Sequence, residues 1–176
     1  MQARAPLMIE HRLIERMIGI IKRILSEIEK EETVDPVFVD TTVDFIRIYA
    51  DRTHHGKEED ILFKKLSKRD LSEEDKLLMN ELIEEHILGR KTTQKLIEAN
   101  NRYRNGDKSA LAEIVSNLRF LVDFYPKHIK KEDKVFFPSA RRYFSEQEDQ
   151  DMLNEFWEFD RKMIHAKGVA KGVGPS

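Results

Sequence analysis

Two nine-residue stretches match without gaps: His55-Gly-Lys-Glu-Glu59-Asp-Ile-Leu-Phe63 and His128-Ile-Lys-Lys-Glu132-Asp-Lys-Val-Phe136. Each carries His-x-x-x-Glu, and on a helix residues i and i+4 lie one above the other on the same face. His55 with Glu59, and His128 with Glu132, can therefore both project into one interior. Two more histidines end the matched tripeptides Ile9-Glu10-His11 and Glu84-Glu85-His86. The separation from His11 to His55 is 44 residues, and that from His86 to His128 is 42. The chain reads as two degenerate hairpins, each supplying one helix with a His and one with His-x-x-x-Glu.

Four imidazoles and two carboxylates converging among apolar side chains need compensation, because a carboxylate buried without a cation or donor is costly. Two metal ions meet that need, with each carboxylate bridging both and two imidazoles falling to each. Mixed nitrogen and oxygen ligation suits iron or manganese, and zinc accepts similar donors. The alternative is a bundle held by buried His–Glu pairs with no metal.

These residues must be positioned by helices, and the apolar pattern supplies them. Leu7, His11, Ile14, Ile18, Ile21, Leu25 and Ile28 step by three and four, the seam of a bundle helix. A second segment over about 37–66 is read with the inward column Phe38, Thr41, Phe45, Ile48, Arg52, His55, Glu59 and Leu62. A third opens at Ser72 and turns Met79, Leu82, His86, Thr93 and Ile97 inward. The fourth carries Leu111, Ile114, Leu118, Leu121, Tyr125, His128, Glu132 and Phe136, with a kink or break expected at Pro126. Ser145 caps a shorter fifth helix bearing Met152, Phe156, Trp157 and Phe159. The expected fold is all-α: an up-and-down four-helix bundle with an additional C-terminal helix, in a single domain over 1–168 with a flexible tail over 169–176.

Composition agrees. With 7 Gly and 5 Pro among 176 residues and 36% charged side chains, long amphipathic helices fit and sandwiches or barrels do not. A net charge of -2 gives no general reason to bind nucleic acid or an anionic membrane. The absence of cysteine removes disulfides, thiolate zinc sites and cysteine nucleophiles together. Neither a membrane span nor a signal peptide is legible, so a cytoplasmic protein is expected.

On these motifs the chain resembles the hemerythrin-like, HHE cation-binding family over roughly Leu7 to Tyr143. The carriers are Glu10–Arg12, His54–Phe63, Glu84–Arg90 and His128–Pro138. The resemblance implies a four-helix bundle with a non-heme di-iron centre: two iron ions with a bridging oxo or hydroxo group, zinc or manganese being alternatives. Its ligands here would be His11, His55, Glu59, His86, His128 and Glu132. Family roles include reversible O2 binding, O2 or NO sensing, iron handling and repair of iron centres.

Two departures stand out. Oxygen carriers of this family have a His-x-x-x-His pair on the third helix, and here the position four after His86 is Arg90. One iron is then held less tightly, or another ligand is recruited, such as His54 or a first-helix Glu. The tandem His54-His55 and Glu58-Glu59 also leave a choice of register, which the gapless match resolves toward His55 and Glu59. His54 is then expected beside the site or on the surface.

The function expected is a metal protein that binds O2, NO or iron in sensing, buffering or iron handling. No general base, nucleophile or substrate pocket is legible, so it is not read as an enzyme. The rivals are a di-iron oxidase, peroxidase or NO-handling enzyme, and a metal-free interaction module. The fifth helix either caps the bundle or makes a homodimer contact, and any sensory output would pass through a separate protein partner.

Overall fold

A computed structural model describes the backbone of residues 3–172 and the side chains of 3–166. Five long helical runs make up most of the described residues. α1 spans Arg4–Glu31. α2 covers residues 36–66 and opens as Pro36–Asp44. It then widens into π turns over Phe45–His55 and Glu58–Phe63, and closes with Lys64–Leu66. α3 is Glu73–Arg104. α4 covers residues 111–140: an α-helix over Leu111–Lys131, a π turn over Glu132–Phe136 and a last turn over Phe137–Ala140. α5 is Glu146–Gly172. There is no strand among the described residues.

Local chemistry sets the boundaries. α1 ends where Glu32 turns left-handed at φ 54° and its N–H bonds Ile28 O. Asp35 accepts from Val37 N at 2.9 Å while Pro36, which needs no donor, fills the first helical position. Ser72 caps α3 through Asp75 N. Ser145 and Glu148 cap α5 reciprocally, each side chain accepting from the other's backbone N–H at 3.1 Å. The break expected at Pro126 does not occur: the helix runs through it, losing one backbone donor within a well-packed element.

Short connections make α1 to α4 successive antiparallel neighbours, with α3 packed on α4, α4 on α1 and α2 on α3. Two apolar clusters fill the bundle. One gathers Ile14, Ile18, Ile21, Val39, Ala50, Leu96, Leu118, Leu121 and Ile129. The other gathers Leu7, Leu62, Leu82, Phe136, Phe137 and Phe156. Each helix passes from one cluster to the other through a polar layer: His11 lies between Leu7 and Ile14, and His54–Glu58 between Ala50 and Leu62.

The column read for α2 is one residue out of phase. The buried residues are Val39, Thr42, Val43, Ile46, Ala50, His54 and Glu58, whereas Thr41 and Arg52 are exposed. α5 is shorter than the bundle helices, as expected, but only just, at 27 residues against 28 for α1. It buries Met152, Leu153 and Phe156 against the second cluster and crosses the π-turn segments of α2. The tail expected over 169–176 begins within the helical backbone of α5, and residues 173–176 lie outside the described residues.

Candidate metal centre

Five histidines and two glutamates meet in the polar layer: His11 on α1, His54, His55 and Glu58 on α2, His86 on α3, and His128 and Glu132 on α4. All seven are buried. The wide turns of α2 bring this about. A π turn holds more residues than an α turn, so consecutive side chains diverge less and both His54 and His55 face inward.

The two carboxylates straddle the imidazoles. Glu58 sets Oε1 2.6 Å from His54 Nε2 and 3.9 Å from His11 Nε2, and Oε2 3.4 Å from His86 Nε2. Glu132 sets Oε2 3.0 Å from His11 Nε2, and Oε1 2.8 Å from His128 Nε2 and 3.6 Å from His86 Nε2. Each carboxylate thus offers one oxygen to the His11 side and the other to the His86–His128 side. Close as they are, His11 Nε2, His54 Nε2 and all four carboxylate oxygens lack hydrogen-bond geometry among the described residues. Buried polar atoms left this way are costly, and a cation between them removes the cost. Three potential ligand sets result among the described residues: His11, His54, Glu58 and Glu132; His86, His128, Glu58 and Glu132; and His55, His86 and His128.

Outside this layer every imidazole rests its Nδ1 on a carboxylate. His11 faces Asp133 at 2.7 Å, His54 faces Glu10 at 2.9 Å, and His86 faces Glu59 at 3.2 Å. His128 faces Glu85 at 3.2 Å and His55 faces Asp51 at 3.3 Å. Each outer carboxylate is held in turn by a cation: Arg12 on Asp133, Lys57 on Glu10, Arg90 on both Glu59 and Asp51, and Lys131 on Glu85. A carboxylate at Nδ1 fixes ring orientation and leaves Nε2 to the metal, the usual second layer around metal-bound histidine.

The same architecture shifts the protonation equilibria. Burial alone would lower the His11 pKa, but the carboxylate of Asp133, accepting from Nδ1, and that of Glu132 beside Nε2 overcome it and raise it to about 10. His86 is raised to about 11 against burial by Glu132, Glu58 and Glu59, and His128 to about 9 by Glu132 and Glu85. His55 is driven well below its ordinary value by burial and then by the charge of His86. Glu132 is held low despite burial by His128 and His11. Aromatic rings close the layer: Phe137 stacks on His11 at 5.7 Å, Phe63 on His86 at 5.8 Å and Phe124 on His128 at 5.6 Å. A cavity of about 170 Å³ opens beside His55 and His86, lined also by Ile46, Arg47, Arg90 and Tyr125.

Of the residues read from sequence, the structure brings His11, His55, His86, His128 and Glu132 into the layer. Glu59 is not among them. Its half-buried carboxylate turns outward to Arg90 and His86 Nδ1, and Glu58 takes the inner place. The reason is the phase of α2: from Ala50 the buried stripe continues through His54 and Glu58, so Glu58 and not its neighbour Glu59 turns inward. A signal was there, since Lys57-Glu58-Glu59 also matches Lys131-Glu132-Asp133 without gaps, pairing His54 with His128. Of the outer acids, Glu10 and Glu85 were marked only by preceding the matched histidines His11 and His86 and Asp133 only by following Glu132, while Asp51 had no signal of its own.

A family model for the hemerythrin HHE cation-binding domain matches residues 5–140. The chain belongs to this family. It is also similar to uncharacterised proteins of Mycobacterium bovis and Mycobacterium tuberculosis, at 22% identity over 167 residues. The alignment covers 95% of this chain and 64% of each relative, so the chain spans less than two thirds of their length. No solved structure matches the chain significantly.

This hemerythrin-family bundle has a buried His/Glu layer suited to a binuclear metal site. Arg90, at the position where oxygen carriers of the family would have their second third-helix histidine, is tied to Asp51 and Glu59. No helix among the described residues is long and apolar enough to cross a membrane.

Proposed function

We propose that the chain is a non-heme di-iron protein that binds a small ligand, O2 or NO, or handles iron itself, rather than an enzyme. The observation that carries this is the disposition of Glu58 and Glu132, each with one oxygen toward His11 and the other toward His86. Two carboxylates spanning two imidazole groups are what a pair of ions requires. His11 and His54 would hold one ion, His86 and His128 the other, and Glu58 and Glu132 would bridge them. Mixed imidazole and carboxylate donors favour iron, with manganese and zinc as alternatives.

When bound, the ion pair supplies redox-active iron for binding a diatomic molecule. The protein's share is to fix the ring orientations through the outer carboxylates and to exclude water with Phe63, Phe124 and Phe137. It also admits a ligand of a few atoms through the cavity beside His55 and His86. The carboxylate and imidazoles lining that cavity are already paired: Asp51 with Arg90 and His55, and His86 with Glu59. This favours binding over acid–base turnover. The absence of a long apolar helix among the described residues is in keeping with a cytoplasmic location.

The test is iron content after anaerobic loading with ferrous iron, followed by absorption spectra before and after admitting air. Two irons per chain, with an absorption change that reverses under vacuum or on adding reductant, supports the proposal. Protein that stays helical and takes up no metal overturns it in favour of a bundle held by His–Glu pairs.

A further inference from the structure

The partner pattern of the polar layer is nearly twofold, and one residue breaks it. The glutamate before the single histidine of each hairpin serves the histidine of the paired helix: Glu10 serves His54, and Glu85 serves His128. The acid after each inner glutamate crosses to the other hairpin: Glu59 serves His86, and Asp133 serves His11. The lysine before each inner glutamate binds the first of these acids: Lys57 binds Glu10, and Lys131 binds Glu85. Four histidines and two glutamates are thereby accounted for. His55 is not. Its counterpart one residue after His128 is Ile129, a buried member of the apolar core.

We infer that His55 is a fifth histidine ligand, given to the ion beside His86 and His128 and to no other. A ring nitrogen of His55 lies within 4.8 Å of ligand nitrogens of both His86 and His128. The His55 ring stacks on His86 at 3.8 Å between centroids and lies 5.6 Å from His128. Its Nδ1 faces Asp51, which Arg90 holds at 2.9 Å, so it carries the same outer carboxylate and cation as the other four. Asp51 and Arg90 have no equivalents in the other half.

The consequence is an asymmetric pair. One ion takes His11 and His54; the other takes His55, His86 and His128, and the cavity opens beside it. Arg90, standing where a third-helix histidine is missing, instead braces the outer acids of both His55 and His86.

The assignment rests on the two-metal site proposed above, and the experiment separates the two. Apoprotein is titrated with Co²⁺ and with Fe²⁺ for wild type, His55→Ala, His55→Gln and Asp51→Asn, recording stoichiometry, stepwise affinity and the Co²⁺ absorption spectrum. Circular dichroism confirms the fold of each. The expected result is two equivalents in wild type. In both His55 variants one equivalent keeps its affinity and the other weakens by at least about tenfold with a changed Co²⁺ spectrum, Asp51→Asn giving a smaller change of the same kind. Wild-type affinities and spectra in both His55 variants overturn the role of His55 and leave the two-metal site standing. Wild type that takes up no metal overturns both.

Discussion

The Nε2 atoms of His86 and His128 face each other at 3.2 Å in a fully buried layer, where at most one proton can lie between them. Glu132 Oε1 is within reach of both, at 3.6 and 2.8 Å. A cation satisfies all three at once, and a protein that binds it only when folded gains stability from it. At free metal about a hundredfold above Kd the gain is about 2.7 kcal/mol, or roughly 5–10 °C in Tm for a chain of this size. Thermal unfolding of metal-free and Fe²⁺- or Zn²⁺-loaded protein measures it. Equal Tm values would show that the layer is complete without metal.

Loading must also displace protons. In the metal-free protein His11, His86 and His128 titrate at about 10, 11 and 9, and His54 is raised as well. At pH 7 His11, His54 and one member of the facing His86–His128 pair, three imidazoles at most, therefore give up protons to the solvent as metal binds, and affinity rises with pH between 6 and 9. The stability of the metal-free form follows from the same shifts. Raised histidines stabilise it fully below 6.5, and that contribution fades as pH climbs through 9 to 11. The depressed carboxyls of Glu58, Glu85 and Glu132 stabilise it above 4.5 and cease to do so as pH falls below that. Indicator-dye measurement of proton release on Zn²⁺ loading at pH 7 checks the first part; release of less than one proton per chain contradicts it.

Glu58 and Glu59 separate inner from outer acid by a single residue. Glu58→Gln should abolish two-metal binding, because one bridging oxygen is lost and a neutral amide takes its place. Glu59→Gln should keep both metals and weaken one by about 10–100-fold, through the orientation of His86. Metal content and chelator competition distinguish them. The reverse ranking would restore the register read from the His55–Phe63 match.

Legibility in the sequence followed the strength of the pattern. α1 was readable to the residue, since Leu7, Ile14, Ile18, Ile21, Leu25 and Ile28 are all buried and no competing stripe exists. α2 was not, because Phe38 and Phe45 are large and partly buried while the true stripe uses Val39, Val43, Ile46 and Ala50 and then continues in the polar His54 and Glu58. A short-range repeat cannot choose between registers when both tandem pairs, His54-His55 and Glu58-Glu59, match. The outer acids depended on which helices face each other across the bundle, a tertiary fact.

The close approach of α5 to α2 makes a different prediction. A Cβ built on Gly56 would fall 2.7 Å from Cζ of Phe159, although the backbone at Gly56 is ordinary helix. Alanine is favoured over glycine in a helix by about 1 kcal/mol. Gly56→Ala should therefore stabilise a Phe159→Ala protein by about that amount and fail to stabilise the native one. A double-mutant cycle by urea unfolding reads the coupling, and additivity within about 0.3–0.5 kcal/mol would deny the contact.

Lys57 joins that same face of α5 to the histidine layer. Its ammonium is fully buried, 2.5 Å from Glu10 Oε2 and 2.7 Å from Asp160 Oδ1, and Glu10 in turn holds His54. Lys57→Met keeps the length of the side chain but strands Glu10 beside the layer without its cation. Breaking a buried pair in this way costs about 3–5 kcal/mol, and the loss of a fixed acid at His54 should weaken the first ion too. Asp160 is about a third exposed, so Asp160→Asn should cost less than about 1 kcal/mol and leave metal affinity alone. Urea unfolding with parallel metal titration separates the two variants. If Asp160→Asn loses as much metal affinity as Lys57→Met, the coupling runs through the docking of α5 itself and not through Glu10.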